Sequence, residues 1–222
     1  MSKSIMESDK KFKISLFSNK GIAIDFDSHS KYIENLGYLK KRIIELELLG
    51  LEECLISYHS ISLYFKKLNA GIYAEIYEKL YSLIFNIDIQ SVSNLPYKTF
   101  EIPVVYNGPD LEFVAEHCQL SIEQIISLHT QPLYQVVMIG FLPGFPYLKG
   151  LDEKLKVPRK QMPRAKVPKG SLGLAGNQTG IYPWESPGGW QLIGTTEFEL
   201  FTLKNNILNT IQAGDFIKFI PL

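Results

Sequence analysis

A surplus of charge of either sign is missing from this sequence. Lys and Arg number 23, Asp and Glu number 23, and the formal net charge is +0. Proteins that hold a phosphate backbone by releasing counterions usually carry a basic excess, so nucleic acid is not expected as the main partner. Cysteine is scarce. Cys54 and Cys118 lie far apart, and neither sits in a CxxC pair. They do not suggest a disulfide scaffold, and a single bridge between them stays open. Long apolar runs are lacking too. The run from Val136 to Leu142 stops at Pro143, far short of the roughly 20 residues that cross a bilayer. The opening MSKSIMESDKKFK has no apolar signal-peptide core. A cytoplasmic protein without membrane association is the expectation.

The common catalytic and cofactor motifs are absent as well. There is no Walker A sequence, no GxGxxG and no HExxH. No Cys/His spacing makes a zinc site, and GxSxG is missing. By itself the chain is not a recognisable ATPase, dehydrogenase, metallohydrolase or serine hydrolase. No catalytic residue is assigned from sequence, and no metal is expected.

What is present is globular. The 222 residues are 45% hydrophobic and 21% charged, which excludes disorder and allows one large domain or two small ones. Phe12, Ile14 and Leu16 alternate with polar residues, and Ile22 and Ile24 resume the pattern after Asn19-Lys20-Gly21. This predicts a hairpin. Ser28 or Ser30 can cap a helix whose apolar face is Tyr32, Leu36, Leu39, Ile43 and Leu46, with Gly50 as its stop. Ile61, Leu63 and Phe65 read as a strand, and Asn69 to Phe85 as a second helix. The order strand, strand, helix, strand, strand, helix predicts helices covering one face of a mostly antiparallel sheet.

Ser91 to Tyr97 reads as a linker, dividing the chain into residues 1–93 and 94–222. Of the 12 prolines only Pro96 precedes residue 100, so the second half is expected to hold short strands joined by shaped loops. Asp110 can cap a short helix bearing Leu111, Val114, Ala115 and Cys118. Ser121-Ile122-Glu123-Gln124 is a capping-box pattern opening another. His129 falls on that helix's apolar face and reads as a hydrogen-bonded core residue rather than a catalyst. Strands are expected at Tyr134–Gly140, Ser171–Ala175, Gln191–Gly194, Phe198–Leu203 and Phe216–Ile220. Together they suggest a β-barrel.

Three segments are unusual. GFLPGFPYL, Gly140 to Leu148, presents Phe141, Phe145 and Tyr147 from a loop stiffened by proline. It can line a pocket, face a partner, or plug one end of the barrel. Pro158-Arg159 and Pro163-Arg164, followed by Lys166-Val167-Pro168-Lys169, can form an anion site or a solvated basic loop. Gly176-Asn177-Gln178-Thr179-Gly180-Ile181-Tyr182-Pro183 runs into Glu185-Ser186-Pro187-Gly188-Gly189-Trp190. Gln178, Thr179 and Tyr182 offer neutral donors and acceptors, and the same run also fits a pair of structural hairpins.

Taken together, GFLPGFPYL, the paired PR, VPKGS, GNQTGIYP and ESPGGW resemble the allophanate hydrolase subunit 1 family, also called the carboxyltransferase C/D-subdomain family. The resemblance implies an α+β chain: a small N-terminal domain of ferredoxin-like type, then a cyclophilin-like β-barrel. It implies a component (the B type) of a multi-subunit ATP-dependent 5-oxoprolinase, which converts 5-oxoproline to glutamate. A Kip-type inhibitor of a sporulation histidine kinase, with that kinase as partner, and a urea carboxylase or allophanate hydrolase component are the alternatives. The implied partners are a subunit-2 or C-type barrel protein and a lactam-hydrolase subunit. ATP would be used by a partner, with no cofactor held by this chain alone. Arg159, Arg164 or Lys166 would hold the substrate carboxylate, Gln178, Thr179 and Tyr182 would read the amide, and Phe141 and Trp190 would be walls. Phe141, Phe145 and Tyr147 would meet the partner. The family usually carries a longer segment where Asn107 alone bridges Tyr106 and Gly108.

Overall fold

The computed structural model describes residues 12–27, 30, 32–87, 97–201 and 211–222. The chain divides into two compact units, Met1–Pro96 and Tyr97–Leu222. Ser91–Pro96 of the expected linker, and Ser28, lie outside the described residues.

In the first unit, β1 (Phe12–Ser18) and β2 (Gly21–Phe26) form the expected hairpin, pairing Ile14 with Ile24 and Leu16 with Ile22. A 3-10 turn at Ile33–Asn35 leads into α1 (Leu36–Ile44). The expected serine cap is not made on this helix; the Ser30 hydroxyl accepts instead from the Tyr32 N–H at 3.4 Å. Gly50 lies beyond the helix with φ 76°, in the turn before β3 (Leu51–Ile56). β4 (Ser60–Phe65) and α2 (Ala70–Asn86) complete the unit, and Asn69 caps α2 by accepting from the Ile72 N–H at 2.9 Å. The sheet runs β1-β2-β4-β3, with every neighbouring pair antiparallel. β2 and β3 are therefore parallel to each other with β4 between them. Ile22, Ile24, Leu39, Ile43, Ile61, Leu63, Leu80 and Ile84 are all fully buried in one core. Each contributes roughly 1.5–3 kcal/mol of burial. The chain order ββαββα departs from the βαββαβ order of ferredoxin-like units.

The second unit opens with β5 (Thr99–Val104), α3 (Leu111–Cys118) and α4 (Ile122–Thr130). The strands β6 (Tyr134–Ile139), β7 (Pro146–Lys149), β8 (Arg164–Val167), β9 (Ser171–Ala175) and β10 (Gln178–Ile181) follow. β11 (Ser186–Gly188), β12 (Gln191–Thr195) and β13 (Phe216–Pro221) complete it. Seven strands join in the order β12-β9-β10-β7-β6-β13-β5. The two ends meet: Val105 and Thr195 exchange a pair of N–H···O bonds, each 2.9 Å. The sheet thus curls into a barrel, and β8 and β11 form a separate two-stranded ribbon. Residues 198–201, part of an expected strand, form none, and residues 202–203 lie outside the described residues.

The Ser121 capping box forms as expected: the hydroxyl accepts from Gln124 N–H at 3.2 Å, and Gln124 Oε1 accepts from Ser121 N–H at 2.8 Å. It starts α4 so that His129 enters the core with no exposed surface. The imidazole stacks on Phe219 at 4.7 Å. Its Nδ1 lies 2.8 Å from the Tyr106 hydroxyl, and its Nε2 lies 2.9 Å from Thr179 Oγ1. Because the Thr179 hydroxyl donates to Gly173 O at 3.2 Å, it accepts from Nε2–H, and Tyr106 donates to Nδ1. Burial pushes this histidine down to about 3, so it stays neutral as a core residue.

Candidate functional site

A small aromatic cluster lies apart from the main barrel core: Phe145, Val167, Ala175, Tyr182, Trp190 and Leu192. Above it opens a pocket of about 270 Å³. Phe145, only 1% exposed, forms part of the lining, its ring edge-on to Tyr182 at 5.2 Å and to Trp190 at 5.4 Å. Tyr147 stands 6.0 Å from Trp190. Such perpendicular ring pairs are favoured beyond their simple area burial. Two glycines make the close approach feasible. A Cβ on Gly180 would meet the Phe145 ring at 2.9 Å, and one on Gly188 would meet the Tyr182 hydroxyl at 2.5 Å.

Phe141 forms the outer wall and is 61% exposed. Its φ is 67°, the left-handed region, which is rare for a bulky side chain. Hydrogen bonds around it fix the turn: Leu142 N–H to Gly140 O at 2.8 Å, Phe145 N–H to Leu142 O at 3.0 Å, and Gly140 N–H to Phe145 O at 3.1 Å.

Arg159, Lys160 and Pro163 form the opposite side, with Pro187, Gly188 and Gly189 closing the rim. The cations of the basic segment differ in status. Arg164 donates to Asp110 Oδ1 at 2.7 Å and to Trp190 O at 3.4 Å. Lys160 reaches the same Asp110 oxygen at 3.1 Å. Lys166 pairs with Glu185 at 3.1 Å, and Lys169 with Glu199 at 4.0 Å. Among the described residues, Arg159 alone of these five makes no ion pair. Burial pushes the Tyr147 and Tyr182 hydroxyls up, and the positive charge of Arg159 acts on both in the opposite direction.

The geometry therefore brings Phe141, Arg159, Tyr182 and Trp190 together, with Phe145 and Tyr147 beside them. It removes four expected ligand residues from the lining. Arg164 lies on Asp110 and the Trp190 backbone. Lys166 points to solvent, its side chain 78% exposed. Gln178 pairs with Ala175 at the start of β10, and Thr179 is the buried partner of His129. Of the three interface candidates Phe145 is buried, Tyr147 is half-buried and Phe141 is largely exposed. Lys160, Pro163, Pro187, Gly188 and Gly189 also line the pocket; they belong to the basic and ESPGGW segments picked out in the sequence, where none of them was singled out as a ligand residue. Asp110, read as a helix cap, makes no cap bond on α3 and instead anchors the basic segment. Among the described residues no three His, Cys, Asp or Glu side chains cluster as a metal site. No described helix is long and apolar enough to cross a membrane.

Comparison with known proteins places this geometry in a lineage. The chain is 50% identical over 125 residues to the B-type 5-oxoprolinase component of Bacillus subtilis, covering 55% of this chain and 52% of that one. It is 52% identical over 132 residues to the B-type 5-oxoprolinase component of Haemophilus influenzae, covering 58% and 62%. The matches thus span between 52% and 62% of these two relatives. A putative urea carboxylase of Emericella nidulans is a distant relative, 25% identical over 41% of this chain and 8% of its own length. Among solved structures, TTHA0988 superimposes with a TM-score of 0.76 at 30% identity, over 91% of this chain and 40% of that one. The model of the carboxyltransferase domain, subdomain C and D, matches residues 12–209, and the chain belongs to that family.

Proposed function

We propose that this chain is the B-type component of an ATP-dependent 5-oxoprolinase and that its aromatic pocket holds 5-oxoproline, with the carboxylate on Arg159. The single observation carrying this is the Arg159 guanidinium, without an ion pair among the described residues, at the wall of a pocket lined by five aromatic rings. A planar fork suits a carboxylate, and rings suit the flat body of a five-membered lactam. Tyr147 and Tyr182 are the hydroxyl-bearing residues of the lining. The similarity to two components named for this activity supports the substrate class.

Among the described residues the pocket lining contains no carboxylate, histidine or cysteine. The groups that activate the amide and handle ATP are therefore assigned to partner chains, a C-type barrel protein and a lactam-hydrolase subunit, which would approach over the exposed Phe141. The barrel is read as cyclophilin-like. The first unit is read as a ferredoxin-like unit whose last strand has moved to the front, since it keeps a β-α-β pair with a strand inserted between. The test is 5-oxoproline-dependent phosphate release by the assembled complex. Arg159→Met is expected to raise KM for 5-oxoproline about ten- to a hundredfold, the loss of a charge-assisted bond of roughly 1.5–3 kcal/mol. Its side chain is exposed, so Tm should hold. An unchanged KM would overturn the assignment.

A further inference from the structure

Asp110 is 5% exposed. Its Oδ1 accepts from Arg164 at 2.7 Å and Lys160 at 3.1 Å, and its Oδ2 accepts from Leu192 N–H at 2.7 Å. Its own N–H donates to Leu192 O at 2.9 Å, which fixes the carboxylate beside the strand that follows Trp190. Burial by itself would raise this carboxyl. The bonds from Arg164, Leu192 and Lys160 outweigh burial and hold it below the ordinary carboxylate value. One ionised group therefore faces two cations, and both belong to the pocket's surroundings: Lys160 lines it, and Arg164 reaches Trp190 O. Arg159 is the third cation there.

We infer that Asp110 sets the charge of ligand this pocket accepts: by occupying Lys160 and Arg164 it leaves a single guanidinium open, which selects a monoanion with an apolar body over a dianion such as inorganic phosphate. This rests on the reading of Arg159 as an anion contact. A dianion has more charge to offset on leaving water than a monoanion, and here Lys160 and Arg164 are already engaged by Asp110. Asp110 is not itself a lining residue and acts through Lys160 and Arg164, so it is a specificity-determining residue by position.

The test is thermal stabilisation of the purified full chain by 5-oxo-L-proline and by sodium phosphate at about pH 7.5, with ionic strength held constant by chloride. The wild type is expected to be stabilised by 5-oxoproline and to respond to phosphate no more than to chloride. Asp110→Asn should lower the phosphate concentration for half-effect at least tenfold. The triple variant Asp110→Asn, Lys160→Met, Arg164→Met should lose that gain, which a purely structural role for Asp110 would not produce. A wild-type chain that binds phosphate as well as 5-oxoproline overturns the inference, even if Asp110→Asn does not fold. So does an Asp110→Asn chain whose phosphate response equals the wild type's. If phosphate binding appears in Asp110→Asn while 5-oxoproline stabilises neither protein, charge selection stands and the substrate reading falls.

Discussion

Protonating His129 puts a charge inside the barrel core, where both ring nitrogens are already engaged and no surface is exposed. Its folded value of about 3 lies below the ordinary 6.5. Between those values the unfolded chain binds more protons than the folded one, so stability rises with pH across that window. The slope is at most about 1.4 kcal/mol per pH unit, and the contribution is fully present above about 6.5. Chemical denaturation between about pH 7 and 4.5 should show this decline, and His129→Gln should flatten it while lowering stability at neutral pH. An unaltered slope in the variant would assign the acid sensitivity to other groups. The core role of His129 was legible from its place on an apolar helix face. The partners of the basic segment were not, because Asp110 lies 50 positions from Lys160 and 54 from Arg164. A sequence displays such charges side by side without showing which are already neutralised.

Elements were legible where periodicity or capping chemistry spans enough residues. The first hairpin, α2 and the capping box of α4 are of this kind. Ser121→Ala should cost about 1 kcal/mol, which in a calorimetric scan lowers the barrel transition by about 2–4 °C. No shift would mean that Gln124 and packing hold the helix start without the hydroxyl. Strands β7, β8, β10 and β11 are only four, four, four and three residues long. A period of two cannot declare itself over such lengths, so β10 read as a ligand loop. Its polar residue Thr179 faces the core because His129 supplies the missing hydrogen-bond partner. At 198–201 the reverse holds: Phe198, Leu200 and Phe201 suggested a strand, and none forms there.

At the scale of the whole molecule, the rise in proline beyond residue 100 marked the change from one architecture to another, and each unit has its own buried core. A barrel was legible in the run of short strands, but not which strands close it, because that depends on pairings between positions far apart in the chain. β13 runs parallel to β5 along all its paired positions, from Phe216 beside Thr99 to Pro221 beside Val104, and antiparallel to β6 on its other side. Deleting residues 216–221 from the full chain should therefore abolish the barrel's unfolding transition while the first unit's transition remains. Retention of both would show that the seam is dispensable.

The same seam orders events during synthesis. The first unit's sheet joins strands that are close in the sequence, so it can form early. The barrel must bridge most of its own length before β13 fills the place between β6 and β5, and that loop entropy precedes any gain from pairing. Until those six residues leave the ribosome, β5 and β6 expose edges that accept any extended strand. The emerging chain is then most open to mispairing with a neighbour, and a chaperone that holds it through this interval would act on the second unit alone.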